Sequence, residues 1–355
     1  MPPLSPRART ALATLIALAL ASAGPAALAP AAESAKGTLL LRGAGATFPA
    51  PLYEKWIQAY RRENPDVVIT YEVVGSSEGQ RRYLADRVDF GASDAALSDE
   101  QMAGVKSGAR LVPVTAGIVV LAYNVPGLGG PLRLSREVCA EIFAGRITTW
   151  NDARIRAANP DANLANRTIA VVARQDGSGT TFAFTNHLSP VSVAWRDRGP
   201  GTGNLVDWRG QAMLARGNEG VAGGIKVSDY SIGYVEYHFA KRLGLPMAQL
   251  QNKAGRYVAP GARGGQEALA ANVKAMPGNL RLFLPDPEGE ESYPIVTFSW
   301  LLLYERYADA DKAAALKKFV AWGLTTGQTY RRDLGYIALP PDVASLSLAA
   351  LDGIR

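Results

Sequence analysis

Residues 38–60 read TLLLRGAGATFPAPLYEKWIQAY, and this run establishes the fold class. An apolar strand, Thr38 to Leu41, leads into the small-residue turn Gly43-Ala44-Gly45. Apolar side chains then recur with the spacing of one helical face. They are Tyr53, Trp56, Ile57 and Tyr60. A strand, a glycine-rich turn and an amphipathic helix in this order predict a unit of an α/β fold.

The same alternation continues to the end of the chain. Further strands are predicted at Val67 to Val74, Gly117 to Tyr123, Ile169 to Val172 and Ile295 to Tyr304, with a short strand and turn at Phe90 to Asp94. Helices are predicted at Gln80 to Val88, Arg136 to Ala144, after Thr180, and around the apolar stripe of Leu316, Phe319 and Val320. The last helix is expected to cover the first sheet. We therefore predict an α/β protein of two domains, because its length exceeds what one compact core usually takes.

The N-terminus has the layout of a secretory signal peptide. Arg7 and Arg9 precede an uncharged apolar run, Ala11 to Ala23, which is followed by small residues. A run this short does not span a bilayer, which requires roughly 20 apolar residues. We predict that residues 1–32 are a cleaved signal peptide and that the mature protein is released into the periplasm.

Composition excludes several classes of function. Without Arg7 and Arg9, 36 basic residues stand against 32 acidic ones, and the basic residues are scattered. This charge disfavours nucleic acid as a partner and favours small anions. The only cysteine, Cys139, lies in an apolar helical pattern and is expected to be a core residue without a disulfide.

Four predicted turns combine small residues with Ser, Thr or Asp before a helix. They are Gly45 to Phe48, Gly75 to Ser77, Ser93-Asp94 and Asp176 to Thr180. The first turn of a helix presents unpaired N–H groups, and glycine lets a ligand approach them, so such turns bind anions. Alternatively, each hydroxyl only caps its own helix. Arg174 precedes the fourth turn, where its guanidinium is either an oxyanion ligand or an ordinary surface charge.

Several motifs carry a resemblance to a known family. They are GAGATFPAP at residues 43–51, DFGASD at 89–94, IFAGRITTWND at 142–152, RQDGSGT at 174–180, GNEG at 217–220 and IGYVEY at 232–237. With them the chain resembles the phosphate-binding proteins of phosphate-specific ABC transporters, from about residue 40 to 339. The resemblance implies a periplasmic-binding-protein fold, type II-like, with two α/β lobes, a hinge and an interlobe ligand cleft.

The lobes follow from the resemblance and not from periodicity. Lobe I would comprise residues 33–114 plus 295–355, and lobe II would be the inserted residues 115–294. Two crossings of the chain, near Val114 and Val296, would form the hinge.

The resemblance also implies the site residues. The phosphate ligands would be Thr47, Phe48, Ser76, Asp94, Arg174, Ser178, Gly179 and Thr180, with Asp176 pairing with Arg174 to fix its orientation. An ionised Asp94 would accept a hydrogen bond from the hydroxyl group of phosphate, whereas sulfate has no hydroxyl group. Glu78 departs from the small residue usual in the family. Glu78 would weaken anion binding if its carboxylate faced the anion. The favoured alternative is that it faces solvent or the opposite lobe.

The implied function is capture of inorganic phosphate by a monomeric protein and its delivery to a membrane ABC permease. No enzymatic activity, cofactor, metal or nucleic acid is expected. Histidines are limited to His187 and His238, which disfavours a histidine-rich metal site. His187 follows Ser178 on a predicted helix and is expected to be a surface residue, the alternative being a base for Ser178. Two alternatives remain: a binding protein for sulfate or molybdate, and a phosphate-ester hydrolase on the same lobes.

Overall fold

Strands and helices alternate along most of the chain. The structure is a computed structural model and describes residues 37–208 and 212–355, so the predicted signal peptide lies outside the described residues. The strands are β1 Leu39–Gly45, β2 Val67–Val73, β3 Phe90–Ser93, β4 Ala109–Asn124, β5 Arg133–Leu134, β6 Ala170–Arg174, β7 Ala212–Ala215, β8 Ser231–Glu236, β9 Gln249–Gln251, β10 Tyr257–Val258 and β11 Val296–Tyr304. The helices are α1 Ala50–Glu63, α2 Ser76–Leu84, α3 Asp99–Ala103, α4 Arg136–Phe143, α5 Ala153–Ala158, α6 Gly179–Val191, α7 Val193–Arg198, α8 Gly217–Val227, α9 Tyr237–Arg242, α10 Ala262–Asn272, α11 Ala310–Leu324, α12 Arg331–Leu334 and α13 Pro341–Ala350.

One large mixed sheet organises the molecule. In the part of the chain that the structure describes, eight strands follow the order β2-β1-β3-β11-β4-β8-β6-β7, and β5, β9 and β10 form a small separate sheet. β1, β2 and β3 are parallel to one another, and so are β6, β7 and β8. β4 and β11 run antiparallel to their neighbours and join the two parallel groups.

The long strand β4 brings the carboxyl ends of both groups together. Its C-terminal half pairs with β8, and Val119 lies opposite Glu236, the last residue of β8. Its N-terminal half pairs with β11, where Pro113 lies opposite Trp300, which in turn lies opposite Ser93, the last residue of β3. Ligands of α/β proteins gather at the carboxyl ends of strands. Both groups therefore direct their ligand-binding ends toward the middle of β4.

The sheet is buried on both faces where β4 and β11 cross it. β4 is buried from Leu111 to Tyr123, and β11 is buried throughout. The predicted return of the helix that carries Leu316, Phe319 and Val320 is confirmed, because this helix, α11, contacts β1 and its Phe319 packs edge-on against Trp56 of α1 at 6.5 Å between ring centroids. Leu316 of α11 is fully buried.

Three predicted element boundaries were wrong. β1 ends at Gly45 and not at Leu41, so the residues 43–45 predicted as a turn pair with β2 and β3 as strand. β4 begins at Ala109 and not at Gly117, because a bulge at Val114 accommodates Pro113 inside the strand. Helix α2 covers Ser76 to Leu84 and not residues 80–88, since Gly75 turns the chain with φ 92° and Asp86 is left-handed with φ 54°.

The third predicted turn does not precede a helix. After Asp94 the chain continues to Ser98, whose hydroxyl accepts from the N–H of Gln101 at 3.1 Å and caps α3. Asp94 therefore ends a strand without capping a helix. None of the helices in residues 37–208 and 212–355 is long and apolar enough to cross a membrane.

Candidate anion-binding site

The residues predicted for the site come from five segments that meet near the middle of β4. Thr47 and Phe48 lie between β1 and α1, and Ser76 begins α2. The remaining members are Asp94 after β3, Arg174 at the end of β6, and Ser178, Gly179 and Thr180 at the start of α6.

The turn at the start of α6, which contains Gly177 and Gly179, is in direct contact with the segments at Ser76 and Asp94. A Cβ atom added to Gly179 would lie 2.5 Å from the Cβ of Asp94 and 2.7 Å from the Ser76 hydroxyl oxygen. The N–H of Ser77 donates to the carbonyl of Gly177 at 3.1 Å. The turn before α6 thus closes against α2 and β3, and glycine at position 179 leaves room for this approach.

Arg174 is the cation of the site. It is 2% exposed, and its Nε donates to Asp176 Oδ1 at 2.8 Å while its Nη2 forms an ion pair with the other carboxylate oxygen. The predicted pairing with Asp176 is confirmed. Among the described residues, Arg174 Nη1 is buried without a hydrogen-bond partner. A buried charged donor left unpaired is costly, which indicates a place where a ligand supplies the acceptor.

Asp94 is the buried carboxylate of the site. Its Oδ1 accepts from the Ser299 hydroxyl at 2.7 Å, and its N–H donates to the Ser76 hydroxyl at 3.3 Å. Burial raises the pKa of Asp94 to about 7, although the hydrogen bond from Ser299 and the charge of Arg174 oppose this rise. Asp94 therefore gains or loses a proton in the same pH range as phosphate.

The site hydroxyls accept hydrogen bonds from nearby N–H groups. Ser76 accepts from the N–H of Asp94 at 3.3 Å, and Ser178 accepts from that of Thr181 at 3.1 Å. Thr47 and Thr180 both accept from the side-chain amide of Asn218. Ser178 thus caps α6, in agreement with the alternative that the hydroxyl caps its own helix. The cap uses one lone pair of the hydroxyl oxygen, so the O–H is still free to donate to a ligand.

Backbone groups add further donors. The first N–H groups of a helix have no acceptor within that helix, which applies to Gly179 and Thr180 at the start of α6. The partial positive charge of this terminus favours a bound anion. The backbone position of Phe48 is fixed by a hydrogen bond, which the Tyr336 hydroxyl donates to the Phe48 carbonyl at 2.5 Å.

Glu78 is partly buried and lines the cleft that lies beside the site, opposite residues 175–177, where it pairs with arginines of its own helix. Its carboxylate pairs with Arg81 at 2.6 Å and with Arg82 at 2.7 Å on the surface of α2. Hydrogen bonds from Arg81 and from Arg82 lower the pKa of Glu78 to about 2. Its negative charge is therefore matched locally by two cations.

A cleft of about 1140 Å³ lies beside the buried site. One wall is formed by α1, β2 and α2, and the other by residues 175–177 and 216–219. Thr47, Asp176 and Asn218 belong both to the cleft wall and to the bonded network of the site.

Sequence reasoning missed three residues that shape the site: Ser299, Asn218 and Tyr234. Ser299 interrupts the apolar run of β11, and a hydroxyl in a buried strand requires a partner, which was the available signal. Asn218 belongs to the GNEG motif, which carried no assigned role. The Tyr234 hydroxyl accepts from the N–H of Arg174 at 3.0 Å and so fixes the end of β6.

The expectation for His187 was wrong. It is 3% exposed and therefore not on the surface, and its Nδ1 lies 2.7 Å from the carbonyl oxygen of Pro285. Burial lowers the pKa of His187 to about 4. In the described residues no hydrogen bond joins it to Ser178, so the geometry does not support the alternative of a catalytic pair. Cys139 is buried, as predicted.

The fold and the site together define an anion-binding member of the two-lobed solute-binding proteins. Residues 26–326 match the family model described as "PBP superfamily domain". The chain is 39% identical over 305 residues to "Phosphate-binding protein PstS" of Pasteurella multocida, covering 85% of this chain and 87% of the relative. It is 38% identical over 309 residues to the protein of the same name from Haemophilus influenzae, covering 86% and 90%. The chain therefore belongs to the PBP superfamily and, within it, to the family of the PstS phosphate-binding proteins.

A solved structure agrees on the fold. The phosphate-binding protein of Stenotrophomonas maltophilia superposes with a TM-score of 0.70 at 19% identity, over 87% of this chain and 93% of that protein. The predicted periplasmic-binding-protein fold and the resemblance on which it was based are confirmed.

Proposed function

We propose that the protein is an extracytoplasmic solute-binding protein that captures inorganic phosphate and delivers it to the permease of an ABC transporter. One observation carries the proposal: a buried guanidinium with an unpaired donor lies in the same site as the buried carboxylate of Asp94. The Nη1 of Arg174 is buried and unpaired, while Asp94 remains available as an acceptor. An anion that still has a hydroxyl proton satisfies both. The names of the PstS relatives describe them as phosphate-binding proteins and assign them no enzymatic activity.

We assign the phosphate ligands as predicted from the sequence. They are Thr47, Phe48, Ser76, Asp94, Arg174, Ser178, Gly179 and Thr180. Hydroxyl and N–H groups donate to the oxyanion, and Arg174 supplies the positive charge. Asp176 orients the guanidinium. The Asp94 carboxylate accepts a hydrogen bond from the hydroxyl group of phosphate. Sulfate and molybdate have no such hydroxyl group, so the carboxylate disfavours their binding.

We also propose the lobe boundaries, with lobe I at residues 33–114 plus 295–355 and lobe II at residues 115–294. The pairing of β4 supports them, because its partner changes from β11 to β8 between Ile118 and Val119. β11 begins at Val296, next to the second proposed crossing. The hinge would lie where these two strands cross from one half of the sheet to the other.

The cellular setting is part of the proposal. Residues 1–32 act as the signal peptide, and the mature monomer works in the periplasm without nucleic acid as a partner. The sequence of Arg7, Arg9 and the apolar run supports export.

Calorimetry with phosphate and with sulfate tests the proposal. Native protein is expected to bind phosphate and to bind sulfate at least about 10⁴-fold more weakly, since the site is built around a hydrogen bond that sulfate does not make. Asp94→Asn should narrow this difference. Glu78→Gln is the matched control, because it removes a carboxylate beside the site whose charge is already paired. Equal affinity of the native protein for both anions would overturn the proposal.

A further inference from the structure

Asn218 links the two groups of segments that form the site. It lies in the first turn of α8 and has no exposed surface. Its side-chain Nδ2 donates to Thr47 Oγ1 at 2.8 Å and to Thr180 Oγ1 at 3.2 Å. Its backbone N–H also donates to Thr47 Oγ1, at 3.3 Å. Thr47 comes from the turn after β1 and Thr180 from α6, so one amide contacts a hydroxyl on each side.

The orientation of this amide is fixed by a backbone contact. The Oδ1 of Asn218 accepts from the N–H of Glu236 at 3.0 Å. A backbone N–H is only a donor, so the atom that faces it must be the amide oxygen. Nδ2 is then the donor, and its two hydrogens point to the two threonine hydroxyls.

Fixing the amide also constrains the two threonine hydroxyls, fully at Thr47 and partly at Thr180. A hydroxyl has one hydrogen and two lone pairs. Both lone pairs of Thr47 Oγ1 are used, by the N–H and by Nδ2 of Asn218. Thr47 is left only with a hydrogen to donate. One lone pair of Thr180 Oγ1 is used in the same way.

We infer that Asn218 is a positioning residue for anion binding, which makes the Thr47 and Thr180 hydroxyls donors toward the bound anion. The inference rests on the proposed function, because it requires an anion between these hydroxyls. A neutral amide is essential to the role. A carboxylate in its place would accept hydrogen bonds from both hydroxyls and direct their hydrogens away from the ligand.

A double-mutant cycle on the full chain tests whether Asn218 acts through the hydroxyls. The probe is inorganic phosphate, with its Kd measured by calorimetry. Asn218→Ala in the native background should raise the Kd by about tenfold, the loss expected for hydrogen bonds of this kind. In the Thr47→Val, Thr180→Val background the same substitution should change the Kd by less than about twofold. An equal factor in both backgrounds, or no effect in the native one, would overturn the inference.

The control addresses the placement of α8. Asn124 Nδ2 donates to the carbonyls of Ile225 and Lys226 at 3.2 and 3.3 Å, at the opposite end of the same helix. Asn124→Ala removes amide contacts to α8 without touching a site hydroxyl. It should leave the Kd unchanged. A rise equal to that of Asn218→Ala would assign the effect to helix placement and overturn the inference.

Asn218→Asp provides a readout that a packing role would not produce, and it replaces the alanine variant if that one does not fold. Its Kd relative to that of Asn218→Ala should increase with pH, as the new carboxyl ionises and reverses the hydroxyls. The increase should be larger than in the Thr47→Val, Thr180→Val background, where only direct repulsion of the anion remains. An equal increase in both backgrounds, or a ratio that is constant from pH 5 to about 8.5, would contradict the inference. If native protein does not bind phosphate, the proposed function fails. If it binds and the cycle is additive, only the role of Asn218 fails.

Discussion

Asp94 makes the stability of the unliganded protein depend on pH. Because burial raises the pKa of Asp94 from 3.8 to about 7, the folded protein keeps a proton that the unfolded chain has lost between these values. Stability is therefore highest below pH 4 for this group and falls as the pH rises to 7. The slope is at most about 1.4 kcal/mol per pH unit for one proton.

Urea unfolding of phosphate-free protein between pH 4.5 and 8 measures this effect, with Asp94→Asn for comparison. Burial raises the pKa of Glu236 as well, and the charge of Asp94 adds to this rise. The difference between the two curves therefore reports the titration of Asp94 together with its coupling to Glu236. The native protein should lose stability relative to Asp94→Asn up to about pH 7 and then run parallel to it. Parallel curves over the whole range would show that Asp94 keeps an ordinary pKa.

The site residues could be predicted because each lies in a short sequence pattern that is typical of anion binding. Glycine and hydroxyl residues at a strand end, such as those around Ser178, indicate an anion site before any contact is known. The sequence around Ser299 signals only that its buried hydroxyl requires a partner, and that around Asn218 does not identify the partner of the amide either. Ser299 reaches Asp94 across 205 positions of sequence, and Asn218 reaches Thr47 across 171. Only the folded sheet shows these partners.

At the scale of single elements, the start of α6 is fitted to close contact. Gly179→Ala would introduce a Cβ at 2.5 Å from that of Asp94, where no real Cβ contact is possible without a shift. The obstacles include the Cβ and Cα of Asp94, at 2.5 and 2.7 Å, which move only with the main chain and not as the far end of a flexible side chain, so closure around the anion should be hindered. We expect the phosphate Kd to rise at least about tenfold.

Gly223→Ala is the matched control for this substitution. Gly223 lies inside α8, and a Cβ there would meet no atom within 4 Å. Replacing a helical glycine by alanine stabilises by roughly 0.5–1 kcal/mol, so this variant should unfold at higher urea concentration with an unchanged Kd. Calorimetry on both variants decides the matter. A Gly179→Ala protein with native affinity would mean that the two sides do not close as tightly as the structure shows.

Element boundaries were predicted less well than the elements themselves. Pro113 reads as the end of a strand, because proline removes a backbone donor from the ladder. β4 nevertheless continues through it, and the carbonyls of Pro113 and Val114 accept from Ser347 and Gln328 at 2.8 and 3.1 Å. These bonds satisfy the carbonyl groups at the bulge, and their donors lie more than 200 positions away, which local patterns do not report.

At the scale of the whole molecule, periodicity predicted the α/β class but not the way in which the two halves are joined. The alternation of strands and helices is the same in each half. The pairing of β4 with β11 and then with β8 depends on a register that the sequence pattern does not specify. The resemblance to a family supplied the lobes, since no linker or change of composition marks their boundaries.

The shared strand and the shared site lead to a prediction for unfolding. Proposed phosphate ligands come from both parallel groups of strands, so bound phosphate should stabilise both halves together. At phosphate concentrations of 100 times the Kd, the gain is about 2.7 kcal/mol. Scanning calorimetry should show one transition whose midpoint rises with phosphate, whereas sulfate at equal ionic strength should leave it in place.

Two transitions, of which phosphate moves only one, would contradict this coupling. That result would mean that one half alone holds the anion and that β4 does not transmit stability to the other. The Gly179→Ala variant sharpens the test, because it retains every donor side chain but is hindered in closing. At the same phosphate concentration its midpoint should rise less than that of Gly223→Ala, because its Kd is higher, whereas at the same multiple of each protein's own Kd the two gains in stability should be equal.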